Sequence, residues 1–223
     1  MLITSGQTYE HEDFSHQQLS QEDLSACEFV HCNFTGANLR AADCTEASFD
    51  HCQFNNQSAD DPADLSQAKL RECQFKHCNL SVVDLVRCSA YDVQFLHCQM
   101  QGSDLSKSDF CLPVGDARLA AMTMQQCNFS FGNLSQCYLN KCEISDSRLL
   151  EACFDYTDLS EATLTNNNLH NLVATGLEIW GADLSGSEFN NLNPQNINLD
   201  QVTMTPEQLT MLADCLGIVV NFD

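Results

Sequence analysis

The amino-acid sequence predicts an all-β solenoid, a quadrilateral parallel β-helix in which one short unit is used over and over. Three observations predict it. An apolar residue recurs every five positions, the residue two places before it is small, and His-Cys pairs recur at separations that fit four units per coil. A period of five fits neither an α-helix nor the alternation of a long strand. It does fit a coil of short flat faces with a corner after each face.

The apolar position of each unit, called position i here, occurs in three phases. It steps by five along Phe14–Phe54, along Leu65–Phe110 and along Leu119–Met204. Of these 37 positions, 33 are Leu, Phe, Met or Ile. Residues two apart in an extended segment face the same side. The side chains at i and i−2 are therefore predicted to be buried, and the polar side chain at i−1 is predicted to be exposed.

The His-Cys pairs indicate how many faces make one coil. They begin at His31, His51, His77 and His97, so their separations are 20, 26 and 20 residues. Twenty residues make four faces of five, and the longer separation is one coil plus six inserted residues. The sequence thus predicts square coils, about nine in number, with a histidine column along one corner and a coil spacing of about 4.8 Å.

Each change of phase predicts an inserted loop. The first loop is placed near 55–62, where six residues are added, and the second near 111–118, where four are added. Loops on a regular scaffold often carry function, so both are predicted to bind a partner. The first is polar and acidic, whereas the second is apolar at its start. The predicted binding residues are Asn55, Asn56, Gln57, Ser58, Asp60, Asp61 and Pro62 in the first loop, and Leu112, Pro113, Val114, Gly115, Asp116 and Arg118 in the second.

The chain divides into a repeat domain, 1–204, and a C-terminal cap and dimerisation segment, 205–223. Thr205 is predicted to cap a helix, because a proline and then a glutamine follow it at the spacing of a capping box. Gly217 is a natural helix stop, and a short strand is predicted over 218–220. The segment is more apolar than a cap requires, which predicts a dimer interface. Its residues are Leu209, Met211, Leu212, Leu216, Ile218, Val219 and Val220.

The charge limits the kinds of partner. The chain has 31 acidic and 9 basic residues, a net charge of −22, and the stretch 149–223 has no Lys or Arg. This balance argues against direct binding of nucleic acid, whose phosphates need cations, and favours a basic partner surface. Neither a secretory signal nor a membrane span is evident. A cytoplasmic location is expected, and the 14 cysteines there are expected to stay as thiols.

The sequence predicts no catalytic site, no metal site and no cofactor. Cysteine pairs such as Cys27 and Cys32 are five residues apart, not the two to four typical of zinc sites. Most cysteines fall at i−2, where they are expected to pack as small apolar residues. The histidine column leaves two interpretations open. Stacked imidazoles are able to bind a metal or sense pH, but a repeated polar corner residue is the favoured explanation.

Several stretches resemble a known family. The segments 37–39 and 182–184 resemble the A(D/N)LXX unit of pentapeptide-repeat proteins, which form right-handed square β-helices. The resemblance is strongest to the Qnr group of quinolone-resistance proteins. It rests on the segments 78–85, 97–105, 183–189 and 216–220, and on two loops at corresponding places.

This resemblance implies a function. Qnr proteins are rod-shaped homodimers joined through their C-terminal ends, and they protect DNA gyrase and topoisomerase IV from quinolones. Their two loops, the second especially, are needed for protection, and these roles carry over by position. An acidic rod of duplex-like width is consistent with mimicry of DNA.

Two other classes of function also use a repetitive β-helix. An enzyme on a parallel β-helix, such as a polysaccharide lyase, is disfavoured because the nine basic residues are scattered. A structural or immunity-type repeat protein with another basic partner remains open.

Overall fold

A computed structural model describes residues 3–56, 61–190, 192 and 196–219, without the side chains of 214 and 215. Within these ranges the chain winds into stacked coils, and each face pairs in parallel with the face one coil away. This confirms the predicted four-sided parallel β-helix. Among the described residues, no helix is long and apolar enough to cross a membrane.

Faces are numbered here in chain order. In the first coil, the core residue at position i is Tyr9 on the first face, Phe14 on the second, Leu19 on the third and Leu24 on the fourth. The first corner lies between the first and second faces, and the fourth corner lies between the fourth face and the next first face. The first face forms a seven-stranded parallel sheet in the order β1-β2-β3-β4-β5-β8-β9. The elements are β1 Thr8–Glu10, β2 Glu28–Val30, β3 Ser48–Asp50, β4 Gln74–Lys76, β5 Val93–Leu96, β6 Cys111–Val114, β7 Ala117–Ala120, β8 Met122–Gln125, β9 Glu143–Ser145 and α1 Pro206–Cys215.

The core consists of the side chains at i and i−2, as predicted. Phe34, Phe54 and Leu80 are completely buried. Aromatic rings stack from coil to coil, and the ring centroids of Phe49 and Phe75 are 5.0 Å apart. The buried core positions also begin one face earlier than the predicted start at Phe14. Tyr9 is buried, and its ring stacks on the ring of the same face in the next coil.

Cysteine suits position i−2 because it is small and still donates a weak hydrogen bond. The thiol of Cys52 donates to the carbonyl of Phe29 at 3.4 Å, and the thiol of Cys98 donates to the carbonyl of Phe75 at 3.4 Å. These carbonyls lie inside the rod, where a polar atom without a partner is costly. The cysteines therefore have a structural explanation as packing residues.

The polar residues at i−1 also have a structural role. The carboxylate of Asp64 accepts a hydrogen bond from the backbone N–H of Ser66 at 2.8 Å, and Asp104 accepts one from Ser106 at the same distance. Such side-chain turns favour Asp and Asn. They prepare the corner, where the residue at i+2 adopts a positive φ in coil after coil.

The structure corrects the predicted start of the third phase. Leu119 is not a core residue, because it lies in β7 and is 47% exposed. The coils resume at Met124, which pairs in register with Phe95. Since Phe110 precedes Met124 by fourteen residues, nine residues are inserted there and not four. The second loop is therefore the longer of the two.

The C-terminal cap begins as predicted. The amide N–H of Thr205 donates to the side-chain oxygen of Gln208 at 2.7 Å, which forms half of a capping box. The side-chain nitrogen of Gln208 is buried and donates to the carbonyls of Leu184 and Ser187, so α1 is fixed onto the rod. The predicted strand is wrong over Ile218 and Val219, which have no strand pairing. Val220 lies outside the described residues.

Candidate partner-binding loops

The first loop leaves the rod at the second corner. Its base is closed by a hydrogen bond from the N–H of Ala63 to the carbonyl of Phe54 at 2.7 Å. The register is kept across the insertion, because Asp64 pairs with Asn38. Asp61 and Pro62 are half-buried. Of the predicted binding residues, Gln57, Ser58 and Asp60 lie outside the described residues.

Asn55 anchors the base of the first loop. Its side-chain nitrogen donates to the carbonyl of Ser81 at 2.9 Å, and its own carbonyl accepts from the side chain of Asn79 at 2.9 Å. Asn55 is buried, so it is a structural residue more than a contact residue. Its Oδ1 has no hydrogen-bond partner within the described part of the chain. Asn56, the next residue, is exposed.

The second loop is an antiparallel β-hairpin of β6 and β7. The change of phase predicts a loop here, and the structure shows that this loop is a hairpin. Gly115 has a φ of +60, which is the conformation that the first central position of a two-residue hairpin turn requires. Leu112 lies opposite Leu119, and Val114 lies opposite Ala117.

The two sides of the hairpin differ in chemistry. Residues alternate between the two sides of a strand pair, so Leu112, Val114, Ala117 and Leu119 share one side. Val114 is 53% exposed and Leu119 is 47% exposed. This group, called the apolar face of the hairpin below, is open to solvent in the single chain. Leu119, which the repeat predicts as a core residue, is thus a candidate binding residue.

Arg118 lies on the other side of the hairpin, together with Pro113. Its guanidinium Nη2 is 2.9 Å from Oδ1 of Asp109 on the fourth face. The same guanidinium lies over the ring of Tyr138 at 5.2 Å from the centroid. Arg118 was predicted to contact a partner, but in this arrangement it joins the hairpin to the rod.

Two runs of acidic residues follow the coils beside the loops. Along the fourth corner, Glu46, Glu72 and Asp92 occupy successive coils, and the hairpin stands at the next level of the same corner. Along the third face, a second run of three aspartates is paired coil to coil. These groups are called the corner ladder and the face ladder. The face ladder consists of Asp64, Asp84 and Asp104.

The predicted histidine column is confirmed at the first corner. The rings of His31, His51, His77 and His97 follow one another at centroid distances of 4.6 to 4.9 Å. His11 extends the column by one coil, at 5.0 Å from His31. The sequence signal for it was available, since His11 precedes His31 by twenty residues. The prediction missed His11 because it rests on His-Cys pairs, and His11 is followed by a glutamate and not by a cysteine.

The predicted interface residues at the C-terminus divide into two sets. Leu212 is buried and belongs to the core of the chain. Most of the others are exposed, and Val219 is the most exposed at 82%. The exposed set consists of Leu209, Met211, Leu216, Ile218 and Val219.

The stacked coils and the two insertions define the class of this protein, a four-sided β-solenoid whose regular faces carry inserted loops. The family model described as pentapeptide repeats (8 copies) matches residues 13–56, 63–95, 73–110 and 124–159. The chain belongs to the pentapeptide repeat family.

Solved structures of QnrB1, a plasmid-mediated fluoroquinolone resistance protein, have the same fold. The full-length structure is 23% identical in sequence and has a TM-score of 0.89, over 95% of this chain and 100% of that one. Two trypsin-treated variants of QnrB1 give TM-scores of 0.80 and 0.78 at 23% and 24% identity, over 98% and 97% of this chain and 99% of theirs. No curated protein sequence is a significant match to the chain.

Proposed function

We propose that this protein is a non-enzymatic acidic rod that binds the type II topoisomerases DNA gyrase and topoisomerase IV. In this proposal it occupies a surface that otherwise holds DNA and protects the enzyme from quinolone antibiotics. The observation that carries the proposal is the fold shared with QnrB1, a fluoroquinolone resistance protein, over 95% of the chain. The sequence segments that resemble the Qnr group support the same assignment.

The charge distribution supports mimicry of DNA. Each strand of duplex DNA carries one negative charge per 3.4 Å or so of axis, and the two acidic ladders each carry one per coil, at about 4.8 Å. The net charge of −22 extends this character over the whole rod. A protein surface that has evolved to neutralise phosphates would attract such a rod at long range.

The hairpin gives the rod a second kind of contact. Its apolar face stands directly beyond the corner ladder, so a partner drawn to the acidic groups also meets Leu112, Val114 and Leu119. Exposed apolar groups of this kind are typical of binding surfaces. We propose that the ladders supply affinity and that the hairpin supplies protection against the drug.

The placement of the two loops suggests how a partner would be engaged. The first loop is at the second corner and the hairpin is at the fourth, on opposite edges of the rod. The hairpin also lies about two and a half coils further along the axis, or roughly 12 Å. A groove that partly surrounds the rod, as a DNA-binding saddle does, would reach both loops at once.

We also propose that two copies associate through their C-terminal ends. The exposed set on and after α1 leaves five large apolar residues without cover in the single chain. Association would bury them and would double the length of the acidic rod. This arrangement places the charged coils of the two copies on opposite sides of the junction.

The direct test is a gyrase supercoiling assay with a quinolone, performed with and without the full chain. We expect the chain to restore supercoiling at drug concentrations that otherwise stop it. The matched variant lacks residues 111–119, because removing nine residues brings Phe110 and Met124 to the regular step of five. This variant is expected to fold and to bind, but not to protect. If the full chain gives no protection and retains no gyrase subunit from bacterial lysate, the proposed target is wrong and another basic partner must be sought.

A further inference from the structure

The histidine column is a set of potential metal ligands that the proposed function does not use. All five rings are exposed, and all five residues have φ values between 53 and 56. The backbone holds each ring in step with the next coil. The N–H of His51 donates to the carbonyl of Lys76, and the N–H of His77 donates to that of Leu96, both at 2.9 Å. The spacing of the rings is therefore fixed by the coils.

One step of the column differs from the others. The rings of His51 and His77 are the nearest pair, at 4.6 Å between centroids, whereas the other steps measure 4.8 to 5.0 Å. The carboxylate Oδ1 of Asp50 lies 2.8 Å from Nδ1 of His51. One ligand atom from each of Asp50, His51 and His77 lies within 4.8 Å of the other two.

These three groups are suited to a divalent transition metal. Imidazole nitrogens bind zinc at about 2.0–2.1 Å, so two of them on one ion stand roughly 3.4 Å apart. Exposed side chains on a fixed backbone can close to this distance by rotating their side-chain torsions. Two imidazoles and one carboxylate leave coordination positions free for water, as in many open metal sites.

The surroundings favour an imidazole-binding ion over a hard cation. The net charge of −22 attracts cations of every kind to the rod. Lys76, however, is in register with Asp50 and directly precedes His77, so a basic group stands close by. Mg²⁺ and Ca²⁺ require several oxygen ligands, and this step offers one carboxylate. Zn²⁺ and Ni²⁺ gain their binding from the two imidazoles.

We propose that Asp50, His51 and His77 form a binding site for a divalent transition-metal ion such as Ni²⁺ or Zn²⁺. The ion joins two successive coils. Between the two histidines the chain makes the first loop, whose six extra residues give them a separation of 26 instead of 20. A metal bridge here holds together the coils on both sides of that insertion, and it stabilises the fold in proportion to its occupancy.

The test uses the full chain, reduced and stripped of metal, with Ni²⁺ as the probe. Calorimetric titration on the folded protein measures the affinity, and Mg²⁺ serves as the hard-cation control. The binding variant is the double substitution His51→Gln with His77→Gln. Glutamine is suitable because Gln126 continues the same corner column with a φ of 52. The control is His16→Gln with His170→Gln, which removes two histidines outside the column.

We expect the wild-type chain to bind Ni²⁺ more tightly than Mg²⁺ and to melt at a higher temperature when Ni²⁺ is present. The binding variant should lose at least about tenfold in Ni²⁺ affinity, while the control keeps the wild-type value within twofold or so. Nuclear magnetic resonance of the wild-type chain gives a test that does not depend on any variant. Paramagnetic Ni²⁺ should broaden the ring signals of His51 and His77 before those of His16 and His170.

Two results would overturn the site. One is a wild-type affinity for Ni²⁺ no greater than that for Mg²⁺, which would mean attraction to acidic groups alone. The other is a binding variant with unchanged Ni²⁺ affinity, or equal broadening of all the histidine ring signals.

Discussion

Arg118 and Asp109 form an ion pair in which Nη2 and Oδ1 are 2.9 Å apart, and this pair ties the second strand of the hairpin to the fourth face of the rod. The ring of Tyr138 supports the same guanidinium from the next coil. One arginine thus touches the coils on both sides of the insertion. The consequence is that the apolar face of the hairpin turns away from the rod, towards solvent.

This anchor predicts that Arg118 controls the mobility of the hairpin more than the stability of the fold. Both partners of the ion pair are more than half exposed, and exposed pairs contribute about 0–1 kcal/mol. We expect Arg118→Gln to leave the melting temperature nearly unchanged and to speed amide exchange over 111–120. Hydrogen exchange measured by mass spectrometry reports the hairpin and the coils of the rod in one experiment. Unchanged exchange in the hairpin would mean that β6 and β7 hold their position without the anchor.

The exposure of Leu119 predicts that two leucines of the same sequence phase contribute very differently to the stability of the fold. Leu134 is completely buried, whereas Leu119 is 47% exposed. We expect Leu134→Ala to lower the free energy of unfolding by about 2–5 kcal/mol, and Leu119→Ala to lower it by less than about 0.5 kcal/mol. Denaturant titration of the two variants measures the difference. Equal losses of unfolding free energy would mean that Leu119 is a core residue.

Most of the fold could be predicted because the repeat is a local signal. An apolar residue at i, a small one at i−2 and a turn-forming one at i−1 determine each face independently of its neighbours. The hairpin escaped prediction because Leu119 precedes Met124 by five residues, which is the period of the coils. Its alternating apolar side chains and the Gly115 turn were the contrary signal.

The C-terminal segment shows a different limit of sequence analysis. The cap of α1 was predictable, because Thr205 and Gln208 form a local motif. The strand predicted over Ile218 and Val219 was wrong, because an apolar run indicates only that the residues avoid water. Whether such a run pairs as a strand or covers another surface depends on partners that lie outside the segment. The same holds for the contact roles of the loop residues.

Two of the buried cysteines, Cys32 and Cys88, are predicted to resist thiol reagents while the chain is folded. Burial raises the pKa of Cys32 to about 11 and that of Cys88 to about 12. Because the thiolate is the reactive form, both should remain unmodified at pH 8 in the native state. Peptide-level mass spectrometry after alkylation should find them modified only when denaturant is present. Cys153, which is half-buried, is the internal comparison and should react first; native modification of Cys88 at the same rate would contradict the prediction.

The exposed set at the C-terminus predicts association of two copies. A standard interface buries about 800 Å² per partner, and apolar burial at about 25 cal/mol/Å² is then sufficient for a stable dimer after association costs. We expect Ile218→Asp to convert the chain to a monomer at micromolar concentration, as measured by analytical ultracentrifugation. The control is Val173→Asp, a similar exchange at a residue that is 48% exposed on the third face. A wild-type chain that sediments only as a monomer would exclude this interface.

The last prediction separates the charge of the rod from the contact of the hairpin. Attraction by the acidic ladders is long-range and is screened over about 8 Å at physiological salt, whereas apolar contact is short-range and depends little on salt. We expect Glu46→Gln, Glu72→Gln and Asp92→Asn together to weaken binding to gyrase and to reduce its salt dependence. The double substitution Leu112→Ser with Leu119→Ser should instead abolish most protection against a quinolone and leave the salt dependence of binding as it was.

The measurements are binding to immobilised gyrase at several salt concentrations and supercoiling in the presence of the drug. The matched control for charge replaces Glu151, Glu178 and Glu188 with Gln, which removes three exposed acidic groups that lie in the coils after the hairpin and outside the corner ladder. If this control weakens binding as much as the corner ladder does, net charge governs affinity and the position of the ladder is irrelevant. If the leucine variant protects as well as the wild-type chain, the apolar face of the hairpin has no part in protection. If binding to gyrase does not depend on salt concentration, the proposed electrostatic attraction is wrong, irrespective of the results with the variants.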